Sequence, residues 1–421
     1  MITGSALPLA VVALDPAIEE ALRAAADRFG TPCYVYLLDQ IVERARYIDQ
    51  IFGNRFEINY AMKANPNAEL LKAIEPHIAG IDVSSGGELQ LALAAGYLPK
   101  RVSFTGPGKS LEELSDAIDS GGGEIVAESM AEVTDIDRLS VNRGVVTRIL
   151  LRVSPQSVPK GFGVNMAGRP SQFGIDEENL DSALAQLHEY KGIHFSGFHI
   201  YAGAQCLNSD SIIENFLNYI RIFTVHAERH ALAPEVLVFG GGIGIPYHPG
   251  DEPVDLAKIA AQLNPALDAL RARPNFTMAR FMLEIGRLLV GEAGFFLTTV
   301  RRAKHSRGRE IRICDGGLNN HLAACGHFGT IIHRNYLITR LSDPNRSSAS
   351  ATAEAFDVFG PLCTTIDQLA RQLQLPALDC GDVLAFHSSG AYGFSASPMK
   401  FISHPCAKEI ILSGSSAVKQ L

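Results

Sequence analysis

Three features of the sequence could do chemistry, and each lies at the end of a short apolar run. Lys63 ends EINYAMK, three glycines (residues 240–242) follow EVLVF, and Glu284 ends FMLE. Burial of a lysine favours its neutral amine, which attacks carbonyl groups and forms Schiff bases. Glycine N–H groups can approach an anion without obstruction by a Cβ atom. A carboxylate in apolar surroundings needs a cation or a proton donor as its partner.

Each feature also has an ordinary structural explanation. Lys63 could cap its strand in solvent, and many turns contain a run of glycines. Glu284 could form an ion pair with Arg280 or Arg287. If these strand ends lie at one edge of the fold, an amine, a phosphate-binding glycine loop and a buried carboxylate together indicate pyridoxal 5'-phosphate as a cofactor.

The elements that would position these residues follow a regular alternation. Between residues 57 and 285 we count eight strand-like runs, separated by segments in which apolar residues recur every three or four positions. This alternation predicts parallel strands with crossover helices, and eight such strands close a (β/α)8 barrel. An open doubly wound sheet is the alternative. In a barrel, the carboxyl ends of the strands form the rim that carries the active site.

The alternation stops near Gly291. From there β-rich segments follow one another, which predicts a C-terminal antiparallel β-domain with one helix at residues 365–373 and a polar loop at 342–355. The early strand at 33–39 is expected to join this sheet. The predicted domains are the barrel, residues 40–285, and the β-rich domain, residues 1–39 and 286–421.

Composition excludes several classes of function. The net charge, 37 − 45 = −8, argues against nucleic acid, because phosphate neutralisation needs clustered Lys and Arg. No stretch reaches the ~18 apolar residues of a membrane helix. The seven cysteines are scattered and contain no CxxC, which fits neither a disulfide framework nor a thiolate metal site. We therefore expect a cytoplasmic protein.

A set of motifs in fixed order resembles the fold-type III pyridoxal-phosphate decarboxylases, the group that contains diaminopimelate, ornithine and arginine decarboxylases. The motifs are YAMKANPN, DVSSGGEL, FTGPGKS, SQFGI, GFHIYAGAQ, FGGGIG, EIGRLLVG, CDGG, FGPLCTTID and GAYGFSAS. The resemblance covers most of the chain. It implies a barrel, a β-domain that completes the active site, and a head-to-tail homodimer with shared sites.

The resemblance also implies roles for individual residues. Lys63 would form the Schiff base with the cofactor, and Glu284 would keep the pyridine nitrogen protonated. Cys363 would enter from the other subunit and help to protonate the carbanion, although a free cysteine is more commonly a small buried hydrophobic residue. The further cofactor-binding residues implied are Asp82, Arg152, His199, Tyr201, Gly241, Gly242, Gly286, Arg287 and Tyr392. Tyr201 replaces the family's ring-stacking histidine, and Ala204 replaces a phosphate-binding serine.

The substrate end departs from the diaminopimelate and ornithine pattern. Thr364 stands where those enzymes carry an acid that binds a distal ammonium, and the R-P-x-x-Y run is missing. The pattern G-P-L-C-T-x-x-D looks closer to decarboxylases of secondary metabolism and siderophore assembly. With the polar stretch His321–His327 nearby, this suggests an amino acid attached to a carrier or to citrate. The substrate-binding residues implied are Arg287, Cys363, Thr364 and Tyr392.

Three other functions compete with this interpretation. A racemase or epimerase could use the same cofactor, and a non-catalytic binding protein could keep the same fold, although Lys63 and Cys363 are both retained. A metal-dependent hydrolase would need ligands such as His194, His199, Asp315 and His321. His194 and His199 are five residues apart on one strand and face opposite sides, so we expect no metal site.

Overall fold

The computed structural model describes residues 14–327, 334–341, 353–375 and 377–414, and the backbone of 417–420. Residues 342–352 of the predicted polar loop lie outside the described residues. The chain forms two compact units. One contains Gln40–Ile245 and Glu252–Leu289, and the other contains Met1–Asp39, Pro246–Asp251 and Val290–Leu421.

Helices and strands alternate along the first unit, and strands predominate in the second. The helices are α1 (Pro16–Phe29), α2 (Leu38–Phe52), α3 (Ala68–Ile74), α4 (Gly86–Ala94), α5 (Leu111–Asp119), α6 (Met130–Arg143), α7 (Leu180–Gln186), α8 (Ser209–Arg229), α9 (Leu256–Arg271) and α10 (Arg287–Val290). The strands are β1 (Cys33–Leu37), β2 (Glu57–Ala61), β3 (Gly80–Val83), β4 (Val102–Phe104), β5 (Ile125–Ala127), β6 (Thr147–Ser154), β7 (Phe162–Asn165), β8 (Ile175–Asp176), β9 (Ile193–Ile200), β10 (Gly203–Cys206), β11 (Val236–Gly240), β12 (Arg280–Ile285), β13 (Gly294–Ser306), β14 (Arg309–Cys314), β15 (Ile338–Arg340), β16 (Glu354–Phe359), β17 (Gln368–Leu375), β18 (Val383–Phe386), β19 (Lys408–Ser413) and β20 (Ala417–Gln420).

Eight parallel strands close the first unit into a barrel. Their order is β2, β3, β4, β5, β6, β9, β11 and β12, and β12 pairs with β2 to complete the ring. This confirms the predicted (β/α)8 barrel and excludes the open doubly wound sheet. Strands β7 and β10 form a separate antiparallel pair, and the two-residue strand β8 pairs with β6.

The barrel interior has an apolar layer beneath a polar one. The apolar cluster consists of Val126, Leu150, Val236, Val238 and Met282. Because side chains alternate along a strand, residues two positions further on lie on the same face, one layer closer to the carboxyl end. On three of these strands those residues are Glu128, Arg152 and Glu284. The alternation of side chains along these strands thus places charged groups at the carboxyl-end rim of the barrel, above the apolar layer.

The second unit is built on a mixed sheet. Its order is β17, β16, β14, β13, β1, β19 and β20, with β18 also paired to β13 and β15 paired to β18. Strand β1 joins this sheet as predicted. The purely antiparallel arrangement is wrong in two places, because β1 pairs with β19 and β14 with β16 in parallel. Long stretches of chain separate the partners of each pair, which parallel pairing requires.

The helix predicted at residues 365–373 is wrong. Residues Gln368–Leu375 form strand β17, which pairs antiparallel with β16 through a register irregularity next to Val358. The irregularity breaks the strand alternation, so Leu369 and Ala370 are both buried. The apolar residues at 366, 369, 370 and 373 recur every three or four positions, which is why the sequence predicts a helix. Tertiary pairing therefore outweighs the local pattern.

Helix α1, which the sequence pattern did not predict, covers one face of this sheet. Asp15 caps its first turn by accepting a hydrogen bond from the N–H of Ala17 at 2.8 Å. Its buried side chains, Leu22 and Phe29 among them, pack against residues of the sheet such as Val35 and Leu297. Among the helices that the structure describes, none is long and apolar enough to cross a membrane.

The hairpin of β13 and β14 concentrates basic residues that the net charge of the chain conceals. Six Lys and Arg lie there: Arg301, Arg302, Lys304, Arg307, Arg309 and Arg312. Arg301, Arg309 and Arg312 form ion pairs with acids of the same unit. These ion pairs neutralise part of the basic cluster.

Candidate active site

The turn that carries Lys63 is held by its own motif. Strand β2 ends at Ala61, so Lys63 lies two residues beyond it, in a single 3-10 turn rather than at the strand end. The hydroxyl of Tyr60 donates to the carbonyl oxygen of Asn65 at 3.0 Å and closes this turn. The Lys63 Nζ atom lies 5.6 Å from the centroid of the Tyr201 ring. The amine is therefore placed over an aromatic face at the barrel rim.

Glu284 has a buried partner that the sequence did not identify. Its Oε2 atom and His199 Nε2 form a 2.9 Å hydrogen bond, with side chains 2% and 1% exposed. Burial raises the pKa of Glu284, but the His199 hydrogen bond and the nearby charges of His199, Lys63 and Arg152 outweigh it and lower that pKa. Glu284 is therefore a carboxylate at neutral pH.

The sequence offered Arg280 and Arg287 as ion-pair partners of Glu284. Arg280 lies at the opposite end of β12 and binds Glu57 at 2.6 Å, so it is not the partner. Arg287 begins α10, directly after the glycine that follows β12. His199 therefore does more than line the pocket, because it holds the carboxylate. Its Nδ1 atom is buried without a hydrogen-bond partner.

Asp82 is a second buried carboxyl group, and its pKa is shifted in the opposite direction from that of Glu284. Its Oδ1 atom accepts hydrogen bonds from Ser103 at 2.9 Å and Thr105 at 2.6 Å, while Oδ2 is buried without a partner. Burial and the charge of Glu284 raise the pKa of Asp82 to about 8. Its carboxyl therefore keeps a proton near neutral pH. Two carboxyl groups in one barrel with divergent pKa values are typical of an active site.

Arg152 occupies its predicted place among the inward-facing residues of β6. Its Nη1 atom donates to Glu128 Oε1 at 2.7 Å, and its guanidinium lies 4.5 Å from the centroid of the Phe173 ring. Glu128 was missed from sequence. The available signal was an acidic residue directly after a buried strand, the same signal that singled out Glu284.

The glycine run after β11 is packed against backbone. Gly242 has a φ of +62°, and a Cβ atom there would overlap the carbonyl oxygen of Gly203. The resemblance implies that Gly241 binds the phosphate or lies against it, and the N–H of Gly241 donates to the carbonyl oxygen of Glu284 at 2.9 Å. Gly241 thus ties the end of β11 to the end of β12.

Gly286 brings the chain after β12 against the lysine turn. A Cβ atom on Gly286 would lie 2.9 Å from the Cβ of Ala64, the residue after Lys63. The carboxyl ends of the barrel strands therefore gather one set of predicted residues: Lys63, Asp82, Arg152, His199, Tyr201, Gly241, Gly242, Glu284, Gly286 and Arg287.

These residues fit pyridoxal phosphate on the evidence of the barrel itself. Asp82 Oδ2 and His199 Nδ1 are buried polar atoms without partners, which is costly unless a ligand completes them. A loop that only glycine can form adjoins the amine of Lys63 and the carboxylate of Glu284. A flat phosphorylated heterocycle would supply groups that complement each of these features.

The remaining predicted residues belong to the second unit. Cys363 is a free, exposed thiol, so it is not the buried hydrophobic residue of the alternative interpretation. Thr364 and Tyr392 are half-buried, and Tyr392 has a φ of +57°. The loop that carries Cys363 is fastened by Asp367, whose carboxylate accepts the N–H groups of Leu362 and Leu318.

The metal-site alternative is not supported. His194 is exposed and lies 2.6 Å from Glu235, while His199 is buried against Glu284. His321 is buried beside Ser389, and burial lowers its pKa to about 3, so it offers no positive charge to a substrate. Within the described parts of the chain, no group of three or more His, Cys, Asp or Glu could hold a metal ion.

Comparison with known proteins shows the family to which the chain belongs. Residues 38–291 match the family model "Pyridoxal-dependent decarboxylase, pyridoxal binding domain". The chain is 34% identical to the L-glutamyl-[BtrI acyl-carrier protein] decarboxylase of Niallia circulans, over 93% of this chain and 90% of that protein. It is 29% identical to the 2-[(L-alanin-3-ylcarbamoyl)methyl]-2-hydroxybutanedioate decarboxylase of Staphylococcus aureus, over 90% and 93% respectively.

A solved structure shares the whole architecture. Diaminopimelate decarboxylase from Helicobacter pylori, crystallised with L-lysine, superposes with a TM-score of 0.83 at 26% identity, over 94% of this chain and 95% of that one. The barrel and its amine, carboxylate and glycine loop thus define a pyridoxal-phosphate-dependent enzyme. The chain belongs to the pyridoxal-dependent decarboxylases, and it is a carboxy-lyase for an α-amino acid or an amino-acid conjugate. When bound, pyridoxal phosphate accepts the electron pair that remains on Cα when CO2 leaves.

Proposed function

We propose that this chain decarboxylates the α-amino acid end of a larger substrate, in which the amino acid is joined to a carrier protein or to citrate. Thr364 carries the proposal. Its hydroxyl is neutral, so it cannot form the charge-assisted bond that an acid forms with a distal ammonium. The two curated relatives named above act, by their names, on a carrier-linked glutamyl group and on a conjugated alanine.

In this proposal the barrel residues hold the cofactor. Lys63 would hold its aldehyde carbon, and the carboxylate of Glu284, positioned by His199, would accept a hydrogen bond from the protonated ring nitrogen. Tyr201 lies against the ring in place of the family histidine. The phosphate is held by Gly242 and by the further residues Gly286, Arg287 and Tyr392, with Asp82 and Arg152 lining the pocket.

The second unit supplies the remaining chemistry. Cys363 returns a proton to the substrate carbon that loses CO2, and its exposure makes the thiol reachable. Thr364 faces the distal part of the substrate, with Arg287 and Tyr392 as further contacts. A substrate whose distal end is neutral or bulky meets no buried charge at Thr364, which is the physical basis of the selectivity.

The test compares CO2 release from free and conjugated amino acids. Free diaminopimelate, lysine, ornithine and glutamate are assayed beside glutamyl thioester on a phosphopantetheine arm and an amino acid amide-linked to citrate. We expect kcat/KM for one conjugate to exceed that for every free diamino acid by about 100-fold, or about 2.7 kcal/mol, the range of a charged hydrogen bond. Rapid turnover of a free diamino acid would sink the proposal.

A substitution sharpens the same test. Thr364→Asp restores an anion at this position and should raise kcat/KM for free ornithine or diaminopimelate about 10-fold. Thr365→Asp adds the same charge at the exposed neighbouring position and is the matched control. Equal responses of the two variants would show that the position of Thr364 has no special part in selectivity.

The assembly and the location are part of the proposal. Residues 40–285 form the cofactor domain, and residues 1–39 with 286–421 complete the active site of a second copy in a cytoplasmic homodimer. Ile366, in the loop of Cys363, is 49% exposed, and Phe401 is 46% exposed. Apolar groups of this kind favour cover by another copy of the chain. The seven cysteines, all among the described residues, lie outside any disulfide, which fits a reducing compartment.

A further inference from the structure

Two acid–base pairs link neighbouring barrel strands β5 and β6. Glu124 pairs with Arg148 before the strands enter the barrel, and Glu128 pairs with Arg152 at their carboxyl ends, 24 residues apart in both cases. The first pair is partly open to solvent, since Arg148 is 37% exposed and also binds Glu235, whereas Glu124 is 9% exposed. The second pair is sealed, with Arg152 5% and Glu128 4% exposed. The chain therefore offers the same contact twice, fully buried at the rim and partly solvated at the opposite end of the barrel.

Glu128 receives more than one donor. Its Oε1 atom accepts from Arg152 and, at 3.2 Å, from the N–H of Gly106, while Oε2 accepts from the N–H of Gly174 at 2.8 Å. Gly106 belongs to the loop after β4, and Gly174 lies between β6 and α7. One carboxylate thus ties together three segments at the rim that the candidate site occupies.

The two glycines show how tightly this arrangement is packed. Gly106 has a φ of +140° and Gly174 a φ of +70°, which side-chain-bearing residues rarely adopt. A Cβ atom on Gly174 would lie 3.0 Å from the carbonyl oxygen of Arg152. The loops can reach Glu128 only because both positions are glycine, so the carboxylate is the point on which they converge.

Arg152 is fixed from two sides. Glu128 holds one end of its guanidinium, and the ring of Phe173, next to Gly174, lies 4.5 Å from it. The charge of Arg152 is also one of those that lower the pKa of Glu284. A change in the position of Arg152 therefore reaches the carboxylate assigned to the ring nitrogen.

We propose that Glu128 is a positioning residue of the cofactor pocket: it sets the place of Arg152 and of the loops at Gly106 and Gly174, and thereby the affinity for pyridoxal phosphate. The proposal rests on the proposed role of Arg152 in lining that pocket. Glutamine at this position keeps the shape but replaces one acceptor oxygen by an NH2 group. At least one of the donors would then face another donor, and the buried arginine would lose its counter-charge.

The experiment titrates cofactor-free protein with pyridoxal phosphate. Because the chain contains no Trp, binding is followed by the visible absorbance of the cofactor. We expect Glu128→Gln to weaken binding about 10-fold or more and to displace the pH profile of the absorbance band. Glu124→Gln, the matched control at the partly solvated pair at the other end of these strands, should change the affinity less than about 2-fold and leave the profile in place. Equal affinities and profiles in the two variants would overturn the proposal.

Arg152→Met and Glu128→Asp show whether an altered affinity arises through the position of Arg152 or from misfolding. In Arg152→Met protein, Glu128→Gln should weaken binding much less than in the wild type, because a residue that acts through Arg152 has little left to position. Additive losses would overturn the proposal. Glu128→Asp keeps the charge and serves if Glu128→Gln does not fold. It should bind the cofactor about 3-fold more weakly because its reach is shorter, and wild-type affinity would contradict the geometry.

The proposed cofactor site has its own control. Lys63→Ala should abolish the absorbance band that arises from the imine bond between the lysine and the cofactor, while leaving the fold intact. A normal band in Lys63→Ala protein would refute the proposed site, whatever the behaviour of Glu128. A lost band in Lys63→Ala together with a wild-type response of Glu128→Gln would refute only the role of Glu128.

Discussion

Two buried carboxyl groups at the barrel rim differ in the side chains that hold them. Glu284 forms a hydrogen bond with His199 Nε2. One oxygen of Asp82 accepts hydrogen bonds from two hydroxyl groups, and its other oxygen has no hydrogen-bond partner. Neutral hydroxyl donors compensate burial less than a charged neighbour does. The rim therefore presents one anion and one proton-bearing carboxyl at the same pH, which suits it to a protonated ring nitrogen.

The raised pKa of Asp82 makes the stability of the cofactor-free protein depend on pH. The pKa of Asp82 is about 8 in the folded protein and 3.8 in the unfolded chain. Between these values the folded state binds more protons, so its stability falls as pH rises. We expect Asp82→Asn to lessen the fall in thermal midpoint between pH 5 and pH 8. Asp135→Asn, on α6 with a side chain 41% exposed, is the control. An unchanged slope in Asp82→Asn would contradict the prediction.

At the scale of a single element, the loop of Cys363 depends on a buried acid. Asp367 accepts the N–H of Leu362 within the loop and the N–H of Leu318 from a neighbouring segment. Gly317 and Gly360 pack so closely that a Cβ atom on either would overlap the other or Asp367. The carboxylate thus fastens two glycine-containing turns and fixes where the loop presents its thiol.

Replacing Asp367 by Ala should loosen that loop. Each N–H that loses its acceptor costs about 1–3 kcal/mol of unfolding free energy, measured by urea titration. We also expect the alkylation rate of the Cys363 thiol to change, followed by mass spectrometry of individual cysteines. Cys380 and Cys406, also exposed, are internal controls. Thr365→Ala should change neither quantity, and an unaltered Cys363 rate in Asp367→Ala would contradict the anchoring role.

Prediction from sequence succeeded where one physical rule dominates a segment. Buried parallel strands read as apolar runs between amphipathic helices, so the barrel and the rim position of Glu284 were predictable. The segment at 365–373 was not, because its apolar residues have the spacing of a helix although the segment pairs as a strand with a register irregularity. Glu128 and the hydrogen bond of His199 were missed because such contacts join distant parts of the chain.

At the scale of the molecule, the candidate residues are divided between two compact units. Lys63 and Glu284 belong to the barrel unit, and Cys363 and Tyr392 belong to the other. A homodimer with shared sites would combine the barrel of one copy with the β-domain of its partner. In this arrangement a variant in the barrel and a variant in the β-domain can restore each other's activity, which is impossible if each subunit holds its own complete site.

Subunit mixing distinguishes the two arrangements. Lys63→Ala and Cys363→Ala proteins should each be inactive alone, but a heterodimer of them would contain one site with both residues intact. Random assortment makes about half the dimers heterodimers with one working site in two, so an equal mixture should recover about a quarter of wild-type activity. Lys63→Ala mixed with Glu284→Ala is the matched control, because both changes lie in the barrel and no intact site can form. No recovery in the first mixture, with dimers shown by sedimentation, would place Lys63 and Cys363 of one active site in the same subunit.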